Sequence, residues 1–432
     1  MSSFSLAPQK LVYGGGALGY HEGRTVLVPR GLPGEQLEVE EVRTAKGILH
    51  ARPLRVLNAS PDRVDAPCPY FGRCGGCQYQ HFNADKQARA KREILRETLR
   101  RIGKIPWEGD IPIHAASPWN YRNQAELKVT HTGDGQSSVG FFEAESHKLV
   151  PVRACLILSP LLNSILSALA SPAWTNASPG FDSLLIQCRE IDQRADDRDE
   201  KAMLTLRGRI GRVDGENLAT ELLDALPGVE TIAIDRGGGA QVFGKPALLY
   251  EVGGLRYQIS PGSFFQASRF LLPDLVAAVV GEEPGSLALD LYSGVGLFTL
   301  PLARRFAQVI SVEANPGSAA DLVANVRAHS LTNVRPMAQG VFDFLRRFAQ
   351  AEPDLVVLDP PREGAAANVL SLLARLRPKH ILYLSCCPPT LARDLNCLTR
   401  RGYSVDSVDL FDFFPQTFHI ESLVRLSAGY NS

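Results

Sequence analysis

The chain has 432 residues, 45% apolar and 21% charged, a composition that excludes a disordered or fibrous protein and leaves room for roughly two to four domains. Lysine and arginine together number 46, matching 46 aspartates and glutamates, so net charge alone does not mark a nucleic-acid binder. The charge is uneven, however: residues 1–104 carry 17 basic against 10 acidic side chains, a surplus of 7 that the rest of the chain cancels. Met1 to Lys10 contains no apolar leader region, and no apolar run approaches the roughly 18 residues of a spanning helix, so a cytoplasmic protein with no membrane contact is expected.

In chain order, the first segment reads as short strands broken by Gly/Pro turns. Arg24–Val28, Gln36–Val42 and Gly47–Ala51 alternate polar with apolar residues, the pattern of a small β-barrel. Cys68, Cys74 and Cys77 follow as C-x5-C-x2-C, with Cys155 lying 78 residues beyond Cys77. Eight cysteines in a long chain without a leader point to metal or catalytic use, and four thiolates could hold either zinc or an iron–sulfur cluster. From Lys86 to Lys104, eight basic residues and two acidic ones recur on a helical period, a stripe that could follow a phosphate backbone. A mixed region runs to about Ser260, with a charged hairpin-like loop at 193–200 and a turn at 235–239.

Beyond Pro261, strands and helices alternate as in a doubly wound α/β sheet: strands at 286–291, 309–313, 355–359 and 380–384, and helices at 298–306 and 317–329. In such sheets ligands bind where the strands end. Asp290-Leu291-Tyr292-Ser293-Gly294-Val295-Gly296 supplies the glycines that let backbone approach a ligand, and Glu313 ends the next strand where a carboxylate can take both hydroxyls of a ribose. The missing third glycine suits a nucleoside without a pyrophosphate, as in S-adenosylmethionine. Asp359-Pro360-Pro361-Arg362 ends a further strand. Arg362 stands where enzymes that methylate exocyclic amines carry a base-stacking aromatic, which points away from an amine acceptor. The apolar strand up to Leu384 then delivers Cys386 to a turn where a nucleophile would sit. Glu421, two residues beyond His419, is a candidate general base.

Taken together, these residues resemble the RNA 5-methyluridine methyltransferase family. The resemblance runs over nearly the whole chain: the barrel turn Leu27 to Glu35, the cysteine segment Pro67 to Gln78, Phe264-Phe265-Gln266, the glycine loop, Asp359 to Arg362, Ser385 to Asp394 and the terminal His419-Ile420-Glu421. It implies a Rossmann-like S-adenosylmethionine-dependent methyltransferase domain at 261–432, an OB-like RNA-binding TRAM barrel at 1–58 and a central domain at 59–260 holding a [4Fe-4S] cluster on Cys68, Cys74, Cys77 and Cys155. It further implies that Gln266, Tyr292, Gly294, Gly296, Glu313 and Asp359 surround S-adenosylmethionine and the target base, with Cys386 as nucleophile and Glu421 as general base. The RNA expected from the cysteine segment is 23S ribosomal RNA; tRNA and a non-catalytic RNA-binding relative are the rival readings, and a monomer is expected. Phe264 and Phe265 are candidates to hold the flipped base, and Arg362 and Arg393 to contact phosphate or uracil. Three positions depart from the family's pattern: Cys387 where Asn usually follows the nucleophile, Gln416 where His is frequent, and Leu297 where Asn is frequent.

Overall fold

A computed structural model describes residues 3–131, 136–175, 180–189, 200–208, 210, 212–237, 239–348 and 352–429. Residues 193–199 of the charged loop and Gly238 of the turn at 235–239 lie outside the described residues. Among the described residues, no helix is long and apolar enough to cross a membrane.

The first six strands, from Ser3 to Asn58, form one sheet. The sheet curls so far that a Cβ on Gly19 would meet the Ala7 carbonyl at 2.9 Å, which brings the start of the chain onto the third strand. Its alternating residues Val26, Val28, Leu37, Val39 and Leu49 are buried on the inside, as period-two patterning requires. A second sheet of seven strands occupies Gln124 to Gly244 and packs over its own core, including Leu127, Leu162, Leu184, Leu204 and Ile232.

The third large sheet has eight strands. In spatial order they are Val334–Ala338, Phe306–Glu313, Gly285–Leu291, Leu355–Leu358, His380–Ser385, Glu421–Ala428, Tyr403–Phe411 and Ile113–His114. The first five run parallel; Glu421–Ala428 inserts antiparallel between His380–Ser385 and Tyr403–Phe411. Strand order reverses beside Gly285–Leu291, so the crevice of a doubly wound sheet opens between the ends of that strand and Leu355–Leu358. Ile381 and Tyr383 face one core while Leu382 and Leu384 face the other, which is why this strand reads as an unbroken apolar run. Val334–Ala338 escapes the sequence reading because Pro336 interrupts it; the strand is an edge, where the missing N–H costs no ladder bond. The helix expected over 298–306 is confined to Thr299–Leu302, and Phe306 already begins the next strand.

The three sequence segments are not three separate cores. The helix Ala84–Arg101 buries Ile94, Leu95 and Leu99 in one cluster with the curled sheet and with Leu391 and Leu395 behind the nucleophile strand. Ile113–His114, also from the central segment, pairs with Leu410 and Phe411 at the edge of the large sheet. The basic stripe on this helix is not one surface. Lys91 is fully buried against Asp412, Arg96 donates to the Trp107 and Gly109 carbonyls, and Arg92 pairs with Glu93.

Candidate active site

The antiparallel register builds the centre of the site. Ser385 pairs with Ser422 at the end of the ladder, so the next residues outward, Cys386 and Glu421, stand opposite each other. Glu421 is 4% exposed and Cys386 half-buried. Burial, then the neighbouring Glu421 carboxyl, pushes the Cys386 thiol up to about 12, while the Arg362 guanidinium pulls the other way. Burial first and Asp359 second hold the Glu421 carboxyl well above its ordinary range, again against Arg362. The sheet thus brings a thiol, a carboxyl, Asp359 and Arg362 into one field.

The turn after Cys386 is tied to the Asp359 loop. Thr390 donates its hydroxyl to the carbonyls of Cys387 and Arg362, each at 3.0 Å. Asp394, 1% exposed, accepts from Tyr383 Oη at 2.6 Å and from the Ala365 amide at 2.8 Å. Arg393 donates to Asp394 and to the Glu363 carbonyl, so its charge is used within the protein. Both arginines considered for RNA contacts are exposed, but only Arg362 acts on the Cys386 thiol, whereas Arg393 is engaged by Asp394 and the Glu363 carbonyl. Similarly, Phe264 is 63% exposed, whereas Phe265 is 5% exposed and packs on Tyr250 and Tyr257. Of the two, Phe264 alone leaves its ring exposed.

The glycine loop lies at the crevice. Tyr292, at φ 63, and Gly294, at φ 55, turn the chain sharply after Leu291, and a Cβ on Gly294 would meet nothing within 4 Å. Gly296, at φ 96, has the opposite reason for being glycine: a Cβ there would strike Leu322 at 2.7 Å. Glu313 is fixed at its strand end by amides, accepting from Gly294 N at 2.9 Å and Asn315 N at 2.6 Å. Gln266 follows the segment that Ser260 and Ser263 anchor to Asp321, each hydroxyl at 2.6 Å, on the helix beginning beside Glu313. Asp290 and Asp359 end the two strands flanking the crevice, and burial raises both carboxyls to about 7. Asp290 Oδ1 is buried with no hydrogen-bond partner among the described residues. Buried carboxyls without a cation beside an open glycine turn suit a positively charged nucleoside ligand.

Tyr13 reaches the site from an element that carried no sequence signal, and His419 from the terminal motif. Tyr13, in the turn between strands of the curled sheet, donates its hydroxyl to the Cys386 carbonyl at 3.4 Å and packs edge-on against Phe418. His419 packs tilted against Phe418 and edge-on to Phe414, and burial lowers its imidazole to about 4, leaving it neutral.

Cys68, Cys74, Cys77 and Cys155 line a separate cavity of about 410 Å³. Gly75 packs tightly there, since a Cβ would meet the Phe142 carbonyl and the Ala144 amide at 3.1 Å. Cys68 N donates to Gln80 Oε1 at 3.2 Å and Cys155 N to Asn163 Oδ1 at 2.8 Å, which fixes the backbone at both ends of the set. Burial raises Cys77 to about 12 and Cys155 to about 11, with neighbouring cysteines adding to both. Among the described residues, no group of three or more His, Cys, Asp or Glu side chains is placed to hold a metal ion.

Comparison with known proteins gives this geometry its class. The family model for tRNA (uracil-5-)-methyltransferase matches residues 253–428, which contain the glycine loop, Asp359, Cys386 and Glu421. An RNA methyltransferase of Aquifex aeolicus of unassigned specificity is 34% identical over 98% of this chain and 97% of its own length. A 23S rRNA (uracil(1939)-C(5))-methyltransferase of Alkalilimnicola ehrlichii is 32% identical over 97% of this chain and 95% of its own. The crystal structure of the Pyrococcus abyssi tRNA (uracil-54, C5)-methyltransferase with S-adenosyl-L-homocysteine shares the fold, with a TM-score of 0.74 over 98% of this chain and 100% of that one, at 23% identity. The site and fold define an S-adenosylmethionine-dependent RNA methyltransferase. The chain belongs to the RNA (uracil-5) methyltransferase family, transferases that act on uracil C5 in RNA.

Proposed function

We propose that the chain methylates C5 of a uridine in 23S ribosomal RNA through a covalent adduct between Cys386 and C6 of the base. The observation that carries the reading is the Ser385–Ser422 register, which sets the thiol and the Glu421 carboxyl opposite each other at the crevice. C5 of uracil is a poor nucleophile until a thiolate adds at C6 and its electrons make C5 enolate-like. S-adenosylmethionine, when bound, supplies the electrophilic methyl group. Glu421 takes the proton from C5, and the electrons of that bond re-form the C5–C6 double bond as the C6–S bond breaks and the Cys386 thiolate leaves. Arg362 favours the anionic forms of both Cys386 and Glu421. Phe264 gives the extruded base a stacking surface.

Gln266, Tyr292, Gly294, Gly296, Glu313 and Asp359 are assigned to the cofactor and base crevice, Glu313 to the ribose hydroxyls. Cys68, Cys74, Cys77 and Cys155 are assigned to a [4Fe-4S] cluster. Supporting this assignment is the one cavity that all four thiols line. The functional division is a TRAM-like RNA-binding barrel at 1–58, a cluster domain at 59–260 that lends the large sheet a helix and an edge strand, and a methyltransferase domain at 261–432, acting as a monomer. Ribosomal RNA is favoured by the Alkalilimnicola ehrlichii relative, which matches along nearly its whole length. Mapping 5-methyluridine in ribosomal and transfer RNA from cells with and without the gene tests the reading. Loss of one 23S rRNA site is expected; loss confined to tRNA would overturn the choice of substrate.

A further inference from the structure

The segment from Asp412 to Ile420 delivers Glu421, and residues outside the large sheet hold it at four successive points. Gln87, on the helix Ala84–Arg101 and fully buried, makes a reciprocal pair with Gln416. Its Oε1 accepts from Gln416 N at 2.7 Å, and its Nε2 donates to Gln416 Oε1 at 3.0 Å and to the Tyr79 and Phe82 carbonyls at 3.1 and 2.8 Å. The Gln416 carbonyl in turn accepts from the amides of Gln78 and Tyr79, both at 2.9 Å, directly after Cys77. One helical turn beyond Gln87, Lys91 donates to Asp412 Oδ1 at 2.6 Å and to the Phe414 carbonyl at 2.8 Å. Tyr121 Oη donates to the Pro415 carbonyl at 3.0 Å.

Burying an amide and an ammonium group where leucines would cover the sheet is costly unless every bond is made, and here the bonds are made to one conformation of one loop. Gln416 itself sits at φ 67, a left-handed backbone that a non-glycine residue holds only when its surroundings impose it. The turn after the nucleophile has hydrogen bonds of its own: Cys387 N donates to Ser385 Oγ, and the Cys387 carbonyl accepts from Thr390. The hydrogen bonds of the clamp therefore bear on the loop that carries the base and not on the turn that carries the thiol.

We infer that Gln87 is a positioning residue for removal of the C5 proton: it fixes Gln416, and through it the loop that aims Glu421, and it joins that loop to the segment following Cys77. This rests on Glu421 being the base. In Gln87→Ala, kcat falls by about 10- to 100-fold while RNA KM and S-adenosylmethionine affinity hold, because elimination and not addition is slowed. A methyl-labelled protein–RNA adduct then accumulates and survives denaturation longer than in the wild type. The substrates are unmodified 23S rRNA and tRNA transcripts, with 5-fluorouridine transcripts as the control, since fluorine cannot leave C5 as a proton does. If wild-type protein forms no adduct with the fluorinated RNA, the covalent reading fails and the clamp with it. If that adduct forms but the methylated adduct of Gln87→Ala decays at the wild-type rate, or addition slows as much as elimination, the clamp alone is overturned. Should Gln87→Ala fail to fold, Gln87→Met, close to glutamine in volume, is measured against the same two outcomes.

Discussion

The protein gathers cysteines in two places, and burial raises Cys386 in one and Cys77 and Cys155 in the other, with different neighbours. Around Cys386, burial is joined by Glu421 and Asp359 and opposed by Arg362, a field of fixed charges able to move a proton. Around Cys77 and Cys155, burial is joined mainly by other cysteines, with hydrogen bonds opposing. A raised thiol is therefore not by itself a sign of chemistry; the identity of its neighbours is. A thiol facing a carboxyl and a guanidinium is equipped to react. Thiols facing one another are equipped to be ligands, because a metal repays in one step the cost of ionising them together.

The sharpest way to break this comparison is to exchange the roles. Cys386→Ala is expected to abolish both turnover and the covalent RNA adduct, a loss of at least about 10⁴-fold, while Cys387→Ala keeps part of the activity. An adduct formed through Cys387 would reverse the assignment. Glu421→Gln is expected to slow turnover by about 10²- to 10⁴-fold and to stall after methyl transfer, leaving a labelled adduct on a denaturing gel. Full turnover in that variant would remove Glu421 from the mechanism. At the other set, anaerobically purified protein is expected to be brown and to contain iron and sulfide. Cys74→Ser should lose both and unfold at a lower temperature, whereas stoichiometric zinc without iron would refute the cluster.

A pH dependence sharpens the contrast without mutation. Asp290 and Asp359 hold protons up to about pH 7 in the fold but only to about pH 4 in an unfolded chain. Between those values the folded state binds more protons, so the stability of the ligand-free protein falls as pH rises. The melting temperature is expected to drop by roughly 5 °C or more from pH 5 to pH 8. Binding of the sulfonium cofactor should strengthen over the same interval, by up to about tenfold per pH unit, as the carboxylates become available to a cation. A flat melting profile would show that these carboxyls are ionised throughout. The smallest effect is expected from Tyr13→Phe, which loses one long hydrogen bond to the Cys386 carbonyl and keeps the ring contact with Phe418; turnover should fall by about two- to fivefold.

What the sequence disclosed and what it hid follow from the range of the interactions. The strand His380–Ser385 was legible because a strand buried on both faces is an apolar run, and Tyr292, Asp359 and Cys386 were legible because ligands gather where such strands end. Phe265 is buried beside an exposed Phe264, a difference the sequence hid because a motif shows which residues recur together but not which way each side chain turns. Lys91 reads as one more member of a basic stripe, yet its partner Asp412 lies 321 positions away. Tyr13 and Cys386 are 373 positions apart, and Gln87 and Gln416 are 329. No local period or spacing encodes such pairs. The strand Ile113–His114 is only two residues long, too short for any alternation to show.

The placement of Glu421–Ala428 has a bearing on how the molecule is made. It is the last strand of the large sheet to leave the ribosome, yet it belongs in the interior, between two strands synthesised before it. Until it arrives, His380–Ser385 presents an open row of amides and carbonyls to any passing chain, and the nucleophile has no carboxyl opposite it. A nascent or prematurely terminated chain thus lacks the carboxyl beside its thiol and is prone to stick to itself, and completing the sheet and completing the site are a single event.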